Sequence, residues 1–295
     1  MRLGVVCLPT DPWLQWRRRA GHLEALGYDH LWTYDHLSWR HYVDAPWHAS
    51  MPLLTATAAV TSRIRLGTLV SSPNFRHPVT LAKEAMTLDD IAAGRLTLGI
   101  GSGGSGFDAR VFGGEPWSPA ERGERFAEFL YLLDRLLREP RTTWSGRYYA
   151  AHEARMIPGS VQRPRLPLAV AAAGPRALAL AARYGDAWVT FGDPTATEPT
   201  PEHTARVVRD QLARLEDECE RIGRDPAGID RIFLSGNTPE RPLSSVDTFG
   251  EFATRDRDLG ITDLVFHHPR HDDPRWNDSP DMVDRIASEV LPALR

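Results

Sequence analysis

The pair Asp35-His36 is the first place in the chain where residue types point to chemistry. Imidazole titrates near neutrality, so a histidine can give or take a proton while a hydride moves elsewhere. A neighbouring carboxylate can orient other groups or accept hydrogen bonds from a polar ring. A loop turn closed by an aspartate side chain fits the same two residues. The segment GSGGSGFDA, Gly101 to Ala109, offers bare backbone. Without Cβ atoms its N–H groups can approach a ring or a phosphate closely. It has neither the Gly-Lys-Ser/Thr ending of a Walker A loop nor the spacing of a dinucleotide fingerprint. A flexible loop before a helix is the other reading. Gly174-Pro175-Arg176 opens a helix directly after a strand pattern. Free N–H groups and the helix dipole there suit an anion, and Arg176 could add charge; an ordinary Gly-Pro helix start accounts for the same residues. His267 and His268 are adjacent, and neighbours on a strand face opposite ways. The chain has no HExxH or other ligand spacing, so no metal site is expected, and these histidines read as structural or pocket residues.

Whether such groups can meet depends on the elements that carry them. Eight short apolar runs alternate with longer helical patterns. The runs are Leu3–Leu8, Asp29–Thr33, Ile64–Val70, Arg95–Gly101, Leu168–Ala173, Ala187–Phe191, Arg231–Ser235 and Asp263–His267. Helices are expected at Trp13–Leu26, Pro52–Thr61, Pro78–Ala92, Ser118–Arg138, Pro175–Tyr184, Pro201–Ile222 and Val246–Leu259, with a last one ending near Leu294. Asp11 reads as the N-cap of the first, with Pro12 at its start and Gly27 past its end. Ser118-Pro119-Ala120-Glu121 reads as a capping box. In the third helix Leu81, Ala85, Leu88 and Ile91 make one apolar face. Strands this continuously apolar are buried on both faces. Eight such β-then-α units in 295 residues specify one α/β domain, a (β/α)8 TIM barrel spanning 1–295, with loop insertions after strands four and seven. Reactive side chains in such barrels come from the loops after the strands. That rule gathers Asp35, His36, Ser71, Ser102, Gly103, Gly174 and His267 toward one end. Glu139–Arg165 reads as a loop-rich excursion.

Composition removes several classes of function. A net charge of -4 provides no basic field for a nucleic-acid backbone. Cys7 and Cys219 are the only cysteines, too few and too far apart for a disulfide framework or a zinc site. The stretch MRLGVVCLPTDPW meets charge and proline before any long apolar run, and no run approaches the roughly 20 residues of a membrane helix. The expectation is a cytoplasmic protein with no membrane partner.

Three segments resemble a known family: WTYDHL ending the second strand, LGTLVSSPNFRHPVTLAKEAMTLDDIAAGRLTLGIGSG, and AAAGPRALALAARYGDAWVTFG. They are similar to the luciferase-like monooxygenase superfamily from about Met1 to Gly192, and more loosely to the end. The resemblance implies a hydride-transfer enzyme built around a flavin or deazaflavin. Members using FMN with O2 often end strand two with Glu-His, whereas users of the deazaflavin F420 carry Asp-His. It therefore implies F420, with an FMN-dependent monooxygenase as the alternative and a non-catalytic cofactor-binding member as a further one. It places Asp35 and His36 at the ring, with Trp39 standing for a tryptophan that follows the histidine at one residue's longer spacing. It places Leu69, Val70 and Ser71 behind the ring, and Ser102, Gly103 and Gly104 beside it. Ala173, Gly174, Pro175 and Arg176 fall at the phosphate. A non-prolyl cis peptide is implied near Leu69–Val70. Family members that oxidise sugar phosphates or secondary alcohols carry a glutamate where this chain has Gly104. A small organic substrate would lie over the ring between Trp39, Trp47, Phe75 and Phe107. The resemblance also implies a homodimer and, for the cofactor's other half-reaction, a flavin or F420 reductase partner.

Overall fold

Each apolar run becomes a parallel strand in the computed structural model, which describes residues 1–295. The chain runs β1 (Arg2–Val6), α1 (Trp13–Leu26), β2 (His30–Thr33), α2 (Ser50–Ala58), β3 (Arg65–Ser71), α3 (Pro78–Ile91), β4 (Leu96–Ile100) and α4 (Pro119–Arg138). A hairpin follows, β5 (Arg141–Ser145) and β6 (Ala150–Arg155). Then come β7 (Leu168–Ala171), α5 (Pro175–Tyr184), β8 (Ala187–Thr190), α6 (Pro201–Arg221), β9 (Asp230–Leu234), α7 (Val246–Asp258), β10 (Asp263–His267), α8 (Asp281–Glu289) and α9 (Leu291–Leu294). The parallel strands close into one barrel in the order β1-β10-β9-β8-β7-β4-β3-β2. This is the (β/α)8 barrel expected from the sequence. No helix is long and apolar enough to cross a membrane.

Local signals explain most helix starts. Ser118 caps α4 by accepting from Glu121 N at 3.2 Å, and Ser245 caps α7 by accepting from Thr248 N at 3.0 Å. Asp11 does not cap α1, whose N-cap is Pro12 without a side-chain bond; the Asp11 carboxylate instead pairs with Arg19, eight residues on. Ile91 ends half-exposed at the end of α3, whose buried face is Leu81, Ala82, Ala85, Met86 and Leu88. The region Glu139–Arg165 contains more order than its composition suggests. Its hairpin folds against α4, where the Glu128 carboxylate accepts from the backbone N–H of Arg147, Tyr148 and Tyr149 at 3.0, 2.7 and 2.6 Å. Besides the expected insertions, long loops also follow β8 and β10.

Two apolar cores result. The larger fills the shell between strands and helices; the smaller fills the barrel interior and includes Val6, Trp32, Tyr34, Leu69, Val189 and Val265. Period-two alternation divides the apolar strand residues between the two. On β2 and the residue after it, His30, Trp32 and Tyr34 enter the barrel while Leu31 joins the shell. Trp32 crosses the interior. A Cβ on Gly4 would stand 2.7 Å from its Nε1, and one on Gly67 would stand 2.2 Å from its Cζ3. Glycine at these two strand positions makes room for the indole. Below it lies a polar plug, in which Arg2 bonds both Asp230 and Asp263, and His30 stacks on Trp32.

Burial, aided by Arg65 and Arg2, pushes the His30 pKa down to about 3 from 6.5. The folded state thus keeps this ring neutral where the unfolded chain would protonate it. Stability from this group is complete above pH 6.5 and is lost as pH falls toward 3. His30→Gln should reduce the stability lost between pH 7.5 and 5 by about 1–2 kcal/mol relative to the parent. Thermal midpoints across that range measure it; parallel curves for the two proteins would refute it.

Candidate active site

The top layer of the barrel interior forms the floor of a cavity of about 590 Å³. That size falls among small-molecule sites. Tyr34, Leu69, Gly101, Ala171, Val189, Leu234 and His267 all line it, one from each of seven barrel strands or the residue just past it. The floor is uneven. Gly101 and Ala171 leave it low on the β4–β7 side, and Tyr34, Leu234 and His267 raise it on the β2–β10 side.

His36 stands at the rim, two residues beyond Tyr34 in the same inward phase. Its Nδ1 lies 2.6 Å from Asp108 Oδ2. Asp108 is 4% exposed and its other oxygen accepts from Leu37 N at 2.9 Å. The carboxylate has no proton to give, so the imidazole donates from Nδ1. Nε2 is then the nitrogen left to exchange a proton. Trp39 stacks against the ring at 6.4 Å, and Trp47 donates to the His36 carbonyl at 2.9 Å. Asp108 sits in a short 3-10 turn at Phe107–Ala109, after the glycine-rich segment.

Asp35 does something different from its neighbour. It is 1% exposed and does not line the cavity. One oxygen accepts from Ser50 at 2.5 Å and from Arg76 Nη2 at 2.7 Å; the other accepts from Ser71 at 2.5 Å and from Arg76 Nε at 2.9 Å. Burial disfavours the Arg76 charge, but bonding to Asp35 holds its pKa above the ordinary value. Of the two roles the sequence allowed for this carboxylate, the geometry is that of orienting neighbours.

At the floor, the Tyr34 hydroxyl and His267 Nε2 are 2.9 Å apart. Burial pushes the Tyr34 pKa up to about 12 and the His267 pKa well below its usual value, the latter helped by Arg270. Both are therefore neutral at ordinary pH. His268, on the opposite face, is outside the cavity.

Other expected residues divide as follows. Leu69, Val70, Ser102, Gly103, Gly104, Ala173, Gly174 and Trp39 line the cavity. Ser71 is buried behind it on Asp35, and Pro175 and Arg176 are exposed outside it. Leu69–Val70 is a cis peptide, at the place the resemblance implied. Of the four aromatic walls, only Trp39 lines the space. Trp47 backs Trp39 at 6.1 Å, Phe75 carries the Arg76 guanidinium, and Phe107 is half-exposed. Trp276 and Phe191 line it instead. No residue of the Glu139–Arg165 excursion lines the cavity. The sequence reading gave no role to Asp108, Tyr34, Asn74, Arg122 or Trp276. Tyr34 was accessible from the two-residue alternation of β2, and Arg122 from its place one turn before Phe126 on the apolar stripe of α4; the others lie in loops or a short 3-10 turn with no periodic signal.

The residues fit a flat ring with a phosphate-bearing side chain. Gly104 and Gly174 line the cavity, and a Cβ at either would meet no atom within 4 Å, so each presents bare backbone to open space. Gly103 has a φ of +75°, and a Cβ there would collide with Asn74. Asn74 donates to Gly104 O at 3.1 Å while its Oδ1 is buried without a partner. That oxygen packs against Gly103, where a Cβ would stand 2.4 Å from it.

Fold and site together define a (β/α)8-barrel enzyme whose cavity opens at the carboxyl ends of the strands. The chain belongs to the family described as luciferase-like monooxygenase, which it matches over residues 1–237. An F420-dependent glucose-6-phosphate dehydrogenase of Beutenbergia cavernae is 31% identical over 92% of this chain and 90% of its own. A 4-hydroxyprotoasukamycin monooxygenase of Streptomyces nodosus subsp. asukaensis is 36% identical over 81% of this chain and 64% of its own. Among solved structures, an F420-dependent secondary alcohol dehydrogenase bound to an F420-acetone adduct superposes with a TM-score of 0.83 at 17% identity, covering 100% of this chain and 99% of that one. At that identity the likeness is one of fold.

Asp35→Asn should be strongly destabilising. It removes the buried partner of Arg76 and leaves that charge only the more exposed Glu84; breaking a buried pair typically costs about 3–5 kcal/mol, and Glu84 brings the expected loss to the lower end of that range. A chemical-denaturation midpoint close to that of the parent would show that the pair does not support the fold.

Proposed function

We propose that the protein is a deazaflavin-dependent oxidoreductase that uses F420 to exchange a hydride with a small organic substrate. The observation that carries this reading is the Asp108–His36 pair at the rim of a cavity whose opposite side is bare glycine backbone. The names of the F420-dependent relatives support it, as does Asp35 at the end of the second strand. A bound deazaflavin supplies a carbon that accepts or gives a hydride and reacts poorly with O2. Leu69, Val70, Ser102 and Gly103 would hold the ring from behind and beside, and Asn74 would meet its polar edge. Ala173 and Gly174, with the start of α5, would lie along the side chain.

The chain's own residues then do the proton chemistry. For alcohol oxidation, His36 Nε2 takes the hydroxyl proton as hydride leaves the carbon; for reduction, the same nitrogen returns one. Asp108 holds the tautomer and stabilises the imidazolium that forms. Asp35 fixes the backbone that presents His36. Trp39 and Trp276 exclude water. Tyr34, neutral and bonded to His267, would offer its hydroxyl oxygen to an uncharged polar group at the floor.

Titrating the purified protein with F420 and with FMN tests the cofactor. Micromolar or tighter F420 binding is expected; tight FMN binding without F420 binding, with substrate-dependent O2 uptake, would make it a monooxygenase instead. For a substrate found on that basis, His36→Ala should lower kcat by about 10²–10⁴ while cofactor affinity stays within a few-fold. Asp108→Asn should lower kcat at least about tenfold and displace the acid limb of the pH–rate profile. Unchanged turnover in both would remove the pair from the mechanism.

A further inference from the structure

The bond between Tyr34 and His267 can run either way, and one buried nitrogen decides its direction. The Tyr34 hydroxyl and His267 Nε2 lie 2.9 Å apart, and both residues line the cavity. The hydroxyl makes no other hydrogen bond. On the other edge of the imidazole, Nδ1 is buried with no partner at all. Burial, aided by Arg270, keeps the ring neutral, so it carries a single proton. With that proton on Nδ1, the protein would hold a buried N–H with nothing to accept it, while Nε2 accepted from Tyr34. With the proton on Nε2, the ring donates to the Tyr34 oxygen, and Nδ1 keeps only an unused lone pair. Orphaned N–H donors are the rarer of the two faults in protein interiors. The second arrangement is therefore the stable one.

A hydroxyl that accepts from His267 still has its own proton to place. Tyr34 belongs to the barrel interior and meets open space at the cavity. The floor is thus a donor, backed by the imidazole. Its surroundings reinforce that polarity. Burial raises the Tyr34 pKa, and Arg270, Arg40 and Arg275 oppose the rise, with Asp273 as the acidic neighbour. All three arginines line the cavity. A hydroxyl proton in a positive field suits an electron-rich oxygen, not an ammonium or another donor. Height matters as well. Tyr34 and His36 are two residues apart in the same inward phase, about 6–7 Å at the rise of a strand, and their ring centroids are 6.2 Å apart. A substrate that gives its reacting hydroxyl to His36 at the rim can place a second oxygen at the floor.

We propose that His267 is fixed as the Nε2–H tautomer, that Tyr34 consequently donates into the cavity, and that the substrate is an alcohol, or the ketone it forms, carrying a second, non-reacting carbonyl oxygen, as in a hydroxy ketone, lactone or amide. The substrate class rests on the proposed reading of the cavity as an F420 hydride-transfer site; the tautomer does not. Tyr34 is then a specificity-determining residue, and His267 a positioning residue that acts through it.

Two measurements test this. Long-range proton–nitrogen NMR correlations on protein carrying isotope-labelled histidine report which imidazole nitrogen is protonated; the His267 signals are those missing from His267→Gln. At neutral pH the parent should show a protonated Nε2 and a bare Nδ1. A proton on Nδ1, or on both nitrogens, overturns the proposal. The second measurement uses F420-loaded protein and two isosteres, 4-hydroxycyclohexanone and 4-methylenecyclohexanol, in which a carbonyl oxygen is exchanged for a methylene group. Binding is followed by the change in F420 fluorescence. The parent should bind the ketone about threefold to tenfold more tightly, and Tyr34→Phe should abolish that difference while changing the affinity for the methylene compound less than about twofold. If the ketone is turned over, Tyr34→Phe should raise KM by the same factor and leave kcat within about twofold. Equal binding of the two isosteres by the parent, binding of neither, a preference that survives in Tyr34→Phe, or a fall in kcat alone overturns the substrate class. The NMR measurement and the parent's comparison of isosteres hold even if Tyr34→Phe folds poorly. If the protein binds no F420 yet shows the Nε2–H tautomer, the cofactor reading and the substrate class fall together and the donor at the floor stands.

Discussion

The buried carboxylate of Asp35 is the interaction on which the geometry of the site depends. It accepts four hydrogen bonds from three side chains, on α2, β3 and the loop before α3. An unpaired carboxylate at this depth would be far too costly to keep charged. Burial therefore enforces the pairing, and the pairing enforces the positions of Ser50, Ser71 and Arg76. Arg76 extends the link to Glu84 on α3 at 3.1 Å. Since Asp35 follows β2 by two residues, fixing it also fixes the backbone on which His36 sits. The loop after β4 closes the other side, through the bonds of Asp108 to His36 and Leu37. His36 is thus held from below by an ion pair and from the side by a carboxylate.

Barrel packing sets the rest of the cavity's shape. A closed eight-stranded barrel fills its own interior with side chains in layers. Here one indole, Trp32, fills much of the middle layer because Gly4 and Gly67 make way for it. The next layer up carries the size asymmetry, with glycine and alanine from β4 and β7 facing tyrosine and histidine from β2 and β10. A flat ligand can settle only where the floor is low. On the proposed reading a ring would lie against the glycine wall, with the Tyr34–His267 side left for the substrate. The same sequence alternation that makes the barrel stable therefore divides the cavity in two.

What could be read from the sequence follows from which interactions are periodic. Strand and helix positions were legible because burial repeats every two or 3.6 residues, and Ser118 was legible because its cap uses residues three apart. Asp35 and His36 stood out as a pair, yet neighbouring residues after a strand serve different environments, and one became structural while the other faces the cavity. Asp108 was lost among glycines, since nothing in GSGGSGFDA shows how the loop folds back toward His36. Asp11 satisfied the composition rule for an N-cap but found a better partner in Arg19. Glu139–Arg165 reads as polar and irregular. Its hairpin depends on Glu128, about 20 residues away in the chain, whose carboxylate supplies acceptors for three backbone N–H groups. Trp47, Phe75 and Phe107 lie in the right loops with the wrong orientations, because loop residues carry no phase from which direction can be deduced.

No carboxylate stands at position 104, where family members that oxidise sugar phosphates or secondary alcohols carry a glutamate. A glutamate there would project into space that is open beside Gly104. It would also put a second titratable group next to the ring. In this chain the carboxylate comes instead from Asp108 and lies on the far nitrogen of His36. On the proposed reading, a single imidazole would carry the proton. A hydride transfer needs only one such partner: one proton is lost from the alcohol for each hydride removed. The space a glutamate side chain would have filled remains part of the cavity.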